Sequence, residues 1–163
     1  MDVLILGIGN TLLRDEGLGV HVVNRLADEW DVPDGVEVLD GGTAGMDLLD
    51  RVARARALAV VDCGRLDAPP GTVRLIEGEA VPAFFATRIS PHQIGLSDLM
   101  GAVMLLGCMP ERLALIAVQP ESMELGLEMT ATGEAAAKAA LAQLVALMAD
   151  WGVAPVRKLP AVA

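Results

Sequence analysis

A chain of 163 residues supports one domain, and a domain of that size hides roughly 70% of its unfolded surface, so a single folded unit is expected over 1–151, with 152–163 as a flexible C-terminal tail. The formal net charge of −10, with only Lys138 and Lys158 as lysines, leaves no positive field to release counterions from a phosphate backbone, which excludes nucleic acid as a partner. Hydrophobic residues make up 53% of the chain, yet the longest apolar run, 99–109, is about half the ~20 residues that span a bilayer, so no membrane insertion is expected.

Asp2 precedes the first apolar segment where a secretion signal would carry basic residues, which points to the cytoplasm. Residues 3–8 form a β-branched and leucine run closed by Gly7 and Gly9, expected as a buried strand ending in a tight turn. A helix follows, with Leu18, Val22, Val23, Leu26 and Trp30 on one face and Asp15 and Glu16 at its amino terminus, where acids favour the dipole. Residues 33–35 break it. Residues 36–39 read as the second strand, Asp40-Gly41-Gly42-Thr43 as a glycine loop, and 45–54 as a second helix turning Leu48, Leu49 and Val52 inward. Residues 57–61 are continuously apolar, as in the middle of a parallel sheet, and stop at Asp62. Pro70-Gly71 makes a turn, and 72–76 alternates as a short edge strand antiparallel to its neighbour. Leu96, Leu99, Met100 and Val103 fall at helical spacing over 94–106, with His92 just ahead and Gly107 and Pro110 as stop signals. A last strand over 112–118 and a last helix over 134–151, with Leu141, Leu144, Val145 and Met148 on one face, complete the pattern.

Strands alternating with amphipathic helices predict an α/β three-layer sandwich: a mostly parallel sheet of about five strands, helices on both faces, and one antiparallel edge strand. In such sheets function gathers at the strands' carboxyl ends, which is where Glu16, Asp40, Asp62 and Gln119 fall, with His92 arriving from a separate loop. Singly, each has a plain structural role. Glu16 suits a helix start, worth ~0.3–1 kcal/mol, Asp62 can cap a turn with Cys63-Gly64, and His92 can be a satisfied loop histidine after Pro91. Their shared location favours metal chemistry. Two carboxylates and a neutral imidazole match a divalent ion such as nickel or zinc and leave coordination positions open. The Gly7-Ile8-Gly9-Asn10 turn does not continue as a dinucleotide fingerprint, since its third glycine would be Leu12 and Asp15 and Glu16 would repel a phosphate, so no nucleotide cofactor is expected. Its glycines instead let the backbone turn sharply and bring Glu16 to the crevice.

The run from Gly7 through Gly19, with Asn10, Asp15-Glu16-Gly17 and Gly19, resembles the amino-terminal signature of the NiFe-hydrogenase maturation endopeptidases. Asp40-Gly41-Gly42-Thr43-Ala44-Gly45 is similar to that family's second loop, Val60-Val61-Asp62 to its third strand, His92 with Leu96, Asp98 and Leu99 to its histidine-headed helix, and Gln119-Pro120 with Gly126-Leu127-Glu128 to its last loop. The blocks keep the family's order from Val3 to about Leu147.

The resemblance implies a metal-dependent endopeptidase, annotated in the aspartyl-endopeptidase manner, that trims the carboxy terminus of a hydrogenase large-subunit precursor after nickel insertion. It implies that Glu16, Asp62 and His92 bind nickel supplied by the substrate and carry the catalysis. Asp40 is then a candidate base if the ion serves only for recognition. Gly41, Gly42, Thr43 and Gln119 are candidate substrate contacts, the glycine loop offering N–H groups to a peptide or an oxyanion. A non-catalytic nickel-sensing chaperone and another hydrolase on a similar fold are the competing readings. Cys63 stands where the resemblance leads one to expect a small apolar residue. A thiol nucleophile needs a base and a depressed pKa, and flanking carboxylates act the other way, so Cys63 and Cys108 are expected as reduced structural thiols. His21 is expected at the surface, and Met100 and Met104 in the core.

Overall fold

The computed structural model describes residues 3–87 and 94–162. It opens with β1 (Val3–Ile8), whose residues all lack polar side-chain groups and are all buried. The chain continues through α1 (Leu18–Glu29), β2 (Trp30–Asp31), β3 (Val36–Gly42), α2 (Leu49–Arg54), β4 (Ala57–Cys63) and β5 (Val73–Glu77). It closes with α3 (Ala80–Thr87), α4 (Ile94–Leu105), β6 (Arg112–Val118), α5 (Ala131–Asp150) and β7 (Val156–Arg157).

Five strands form one sheet in the order β3-β1-β4-β6-β5. β1 runs parallel to β3 and β4, β4 parallel to β6, and β5 pairs antiparallel with β6 at the edge, as the alternation of 72–76 predicts. Period-two geometry sends alternate residues of each strand to opposite layers. Val3, Ile5, Ala59 and Ile116 meet α1 and α5 through Leu18, Val22, Leu26, Ala140, Leu144 and Met148. Leu4, Leu6, Val60 and Leu115 meet the other layer through Val52, Phe84, Leu99 and Val103. Both faces are therefore covered, which is why β1 and β4 read as unbroken apolar runs.

The structure departs from the sequence expectation at several places, three of them away from the site. α3 occupies 80–87, a stretch the apolar pattern leaves unassigned. Residues beyond Gly152, expected as a tail, supply β7, which pairs antiparallel with β2. Lys158 there donates its backbone N–H to Glu29 O at 2.8 Å and its Nζ to Ala27 O at 2.7 Å. Met104, expected in the core, is 54% exposed on the outer side of α4, while Met100 is buried as expected.

Candidate active site

β1 and β4 lie side by side in parallel register, Gly7 opposite Val61, so the loop leaving β1 and the aspartate ending β4 arrive at the same edge of the sheet. The loop turns back through a short 3-10 helix, Arg14–Gly17, directly into α1. Three glycines allow that return. A Cβ on Gly19 would stand 2.1 Å from Val61 O, one on Gly7 would stand 2.3 Å from Gly19 O, and one on Gly9 would stand 2.1 Å from Glu16 O. Only glycine lets the backbone carrying Glu16 lie directly on the strand ends, the role the turn's composition suggests.

Glu16 is only 4% exposed, and one carboxylate oxygen accepts a hydrogen bond from the Asn10 backbone N–H. It opens on a cleft of about 200 Å3 walled by Gly9, Asn10, Gly42, Thr43 and Leu96. Asp62 is 3% exposed. Its burial, and then the negative charge of Glu16, push its carboxyl well above the usual carboxylate range against a weaker pull from the Cys63 N–H. The structure thus brings Glu16 and Asp62 together as two buried acids that resist being ionised at once. His92 lies outside the described residues. Among the described residues, no three His, Cys, Asp or Glu side chains gather as a metal-binding group.

The other candidates take different positions. Gly42 and Thr43 line the cleft. Asp40, with Gly41 and Gly42 expected in a loop, lies instead at the end of β3, which extends to Gly42; it is exposed, its Oδ1 accepts from Gly42 N–H at 3.0 Å, and its Oδ2 accepts from the Asn24 amide at 3.4 Å. Gly41 is buried at a bulge where Gly7 pairs with Asp40 and Ile8 with Gly42, and a Cβ on it would press on the Ile8 and Leu6 methyls at 2.8 Å. Gln119 takes Leu66 N–H on its side-chain oxygen at 2.7 Å, so it fixes the loop that follows β4. Cys63 is buried, and its thiol is pushed far above its ordinary range by burial and then by the charges of Asp62, Glu16 and Asp15. These surroundings disfavour the thiolate that a nucleophile needs. His21, expected at the surface, is half-buried, and its Nε2 is buried without a hydrogen-bond partner.

The residue that sequence reasoning undervalued is Asp15. It is fully buried, and its carboxylate accepts four hydrogen bonds: Thr130 N–H and Oγ1–H, both at 2.8 Å, Glu121 N–H at 3.0 Å, and Ser122 N–H at 3.2 Å. Burial alone would raise its pKa, but these donors outweigh it and hold the carboxyl below the ordinary value. Thr130 in turn caps α5 through Gly133 N–H at 2.9 Å, and a Cβ on Gly133 would collide with Asp15 Oδ1 at 2.2 Å. An aspartate beside Glu16 thereby locks the turn carrying Glu16 to the loop between β6 and α5. The one sequence signal for this was an acid immediately before Glu16 facing Thr130-Ala131-Thr132-Gly133 far along the chain, and nothing local connects the two.

Comparison with known proteins gives a consistent result. A family profile described as HycI hydrogenase maturation protease matches residues 20–147. The chain is 44% identical over 155 residues to the Hydrogenase 2 maturation protease of Escherichia coli K12, covering 94% of each. Among solved structures it is similar to the hydrogenase maturating endopeptidase HybD from E. coli, with a TM-score of 0.92 and 42% identity, covering 97% of this chain and 98% of that one. It is also similar to a hydrogenase 2 maturation peptidase from Thaumarchaeota archaeon SCGC_AB-539-E09, with a TM-score of 0.72 and 29% identity over 91% of this chain and 99% of that one.

Proposed function

From the premise that this chain belongs to the hydrogenase maturation protease family, we propose that it removes the carboxy-terminal extension of a NiFe-hydrogenase large-subunit precursor once nickel has been inserted. The observation that supports this most directly is the pairing of Glu16 and Asp62, two buried acids of which Asp62 is disfavoured as an anion. A divalent ion suits two such carboxylates: nickel brought by the precursor would favour the ionised form of Asp62 and could be held by both side chains, which would make engagement conditional on metal insertion.

His92 completes this ligand set in the proposal. The substrate's nickel, once held, can polarise the scissile carbonyl or lower the pKa of a water beside it. The chain's own residues orient the peptide. Gly42 and Thr43 border the cleft where its backbone passes, and Asn10 N–H holds Glu16 in place. Asp40 ranks behind Glu16 and Asp62 as a reacting group, because its carboxylate is committed to Gly42 and Asn24.

The test is incubation of the purified protein with nickel-loaded and nickel-free precursor, with the mass of the large subunit as readout. The proposal expects shortening of the nickel-loaded form only. Equal shortening of both would overturn the metal-reading mechanism, and an unchanged mass with binding retained would leave a chaperone.

A further inference from the structure

A cleft of about 200 Å3 is small for selecting a folded protein, because a stable protein–protein contact needs roughly 800 Å2 from each partner. Most of the recognition surface must lie outside it. The strongest candidate is the platform formed where the turn carrying Glu16 meets the β6–α5 loop. Gly126 N–H donates to Leu12 O at 2.8 Å and Arg14 N–H to Gly126 O at 2.9 Å, so the two segments meet at a parallel bridge between Leu13 and Gly126.

Leu12 and Leu125 immediately precede the two bridged residues and so lie beside each other, and Leu127 follows directly on the bridge. Leu12 is 54% exposed, Leu125 84% and Leu127 71%. These leucines are not loose ends of a floppy loop. Asp15 N–H bonds Ser122 O at 3.1 Å, Arg14 Nε bonds Glu128 O at 3.1 Å, and the Asp15 carboxylate anchors Glu121, Ser122 and Thr130 from beneath. Neighbouring exposed leucines on segments held by such bonds mark an interaction surface more than a chance exposure. Glu121, Glu124 and Glu128 stand exposed along the same segment.

We propose that Leu12, Leu125 and Leu127 form the docking ridge for the folded body of the precursor, which presents apolar side chains bordered by Lys or Arg to match the acidic edge. This rests on the peptidase reading above. It adds that the ridge and Glu16 are one rigid piece, since Leu12 and Glu16 sit on the two ends of a turn that Asp15 clamps. Docking on the ridge therefore sets the position of the precursor's metal relative to Glu16.

The test compares the wild type with a Leu125→Ser/Leu127→Ser variant on purified nickel-loaded precursor. The expected result is a KM raised about tenfold or more with kcat within about twofold, since a contact made equally in ground and transition states moves KM alone. The melting temperature should shift by no more than ~2 °C, because both side chains already face solvent. A Glu124→Lys variant should raise KM and flatten its dependence on salt. An unchanged KM in the double-serine variant overturns the proposal, as does a wild type that sediments as a dimer and a variant that sediments as a monomer, which would assign the ridge to a second copy. Calorimetric binding of the same precursor to Asp62→Asn protein, with and without the serine substitutions, separates the two proposals. If wild type fails to shorten the precursor, the peptidase reading falls, and a tenfold loss of affinity on serine substitution still sustains the ridge.

Discussion

Asp62 and Asp15 are both buried aspartates, and their surroundings push them in opposite directions. Asp62, raised by burial and by Glu16, ionises later in the folded chain than in the unfolded one, so its charge becomes a penalty as pH climbs above the unfolded value of roughly 3.9. Asp62→Asn should therefore stabilise the protein by ~0.5–2 kcal/mol at pH 7–8 while abolishing processing, with the advantage closing toward pH 4, as read by melting curves across pH. Asp15 is lowered, so its contribution is fully present above roughly pH 3.9 and disappears as pH falls through its lower folded value. Asp15→Ala removes an acceptor from four donors and should cost about 3 kcal/mol or more in urea unfolding. Cys63→Ala should retain processing, because burial and the neighbouring carboxylates disfavour its thiolate, and a native-state alkylating agent should leave Cys63 unmodified. The placing of Glu16 and Asp62 at one edge of the sheet was legible in the sequence, because one lies in the turn that leaves an apolar strand and the other at the end of an apolar run. Asp15 was not, because its partners lie more than 100 residues away and are mostly backbone N–H groups, which leave no residue-type signature.

Elements with strong local patterns were predicted within a few residues. α4 keeps Leu96, Leu99, Met100 and Val103 buried as their spacing requires, and β4 covers the apolar run and continues two residues past it to Cys63. α3 escaped because its sequence, AVPAFFAT, is apolar nearly throughout and carries Pro82, so no polar face marks a 3.6-residue period. The β2–β7 pair escaped for another reason: a two-residue strand has no periodicity, and its partner is on the far end of the chain. Because α1 runs back along the sheet from the crevice, that pair sits at the end remote from the site. Removing residues 156–163 should therefore lower stability by about 1 kcal/mol, through loss of the β7 hydrogen bonds and of Arg157 over the Trp30 ring, with processing unchanged. Gly19→Ala acts at the opposite extreme. Its new methyl would meet the backbone oxygens of Val61 and Ile8, which cannot rotate away, so a loss of ~3 kcal/mol or more in thermal unfolding and loss of processing are expected together.

At the scale of the molecule, a parallel sheet covered on both faces leaves its carboxyl-end edge as the place where separate loops meet, and the family relation gives that meeting place its purpose. The acidic balance of the chain belongs to the same scale. A net charge of −10 favours a partner with a basic surface and makes association sensitive to salt, so raising ionic strength should weaken processing through KM. The Asp15 clamp carries a further consequence, one of timing. It joins residue 15 to residue 130, so the turn that carries Glu16 emerges early in synthesis but receives its supporting bonds only when the chain is more than three-quarters made. Its β1 neighbour can already be pairing with β3 and β4 by then, since local strands assemble before distant ones. A chain that ends before Thr130 would have strands of the sheet in place without the bonds that set Glu16.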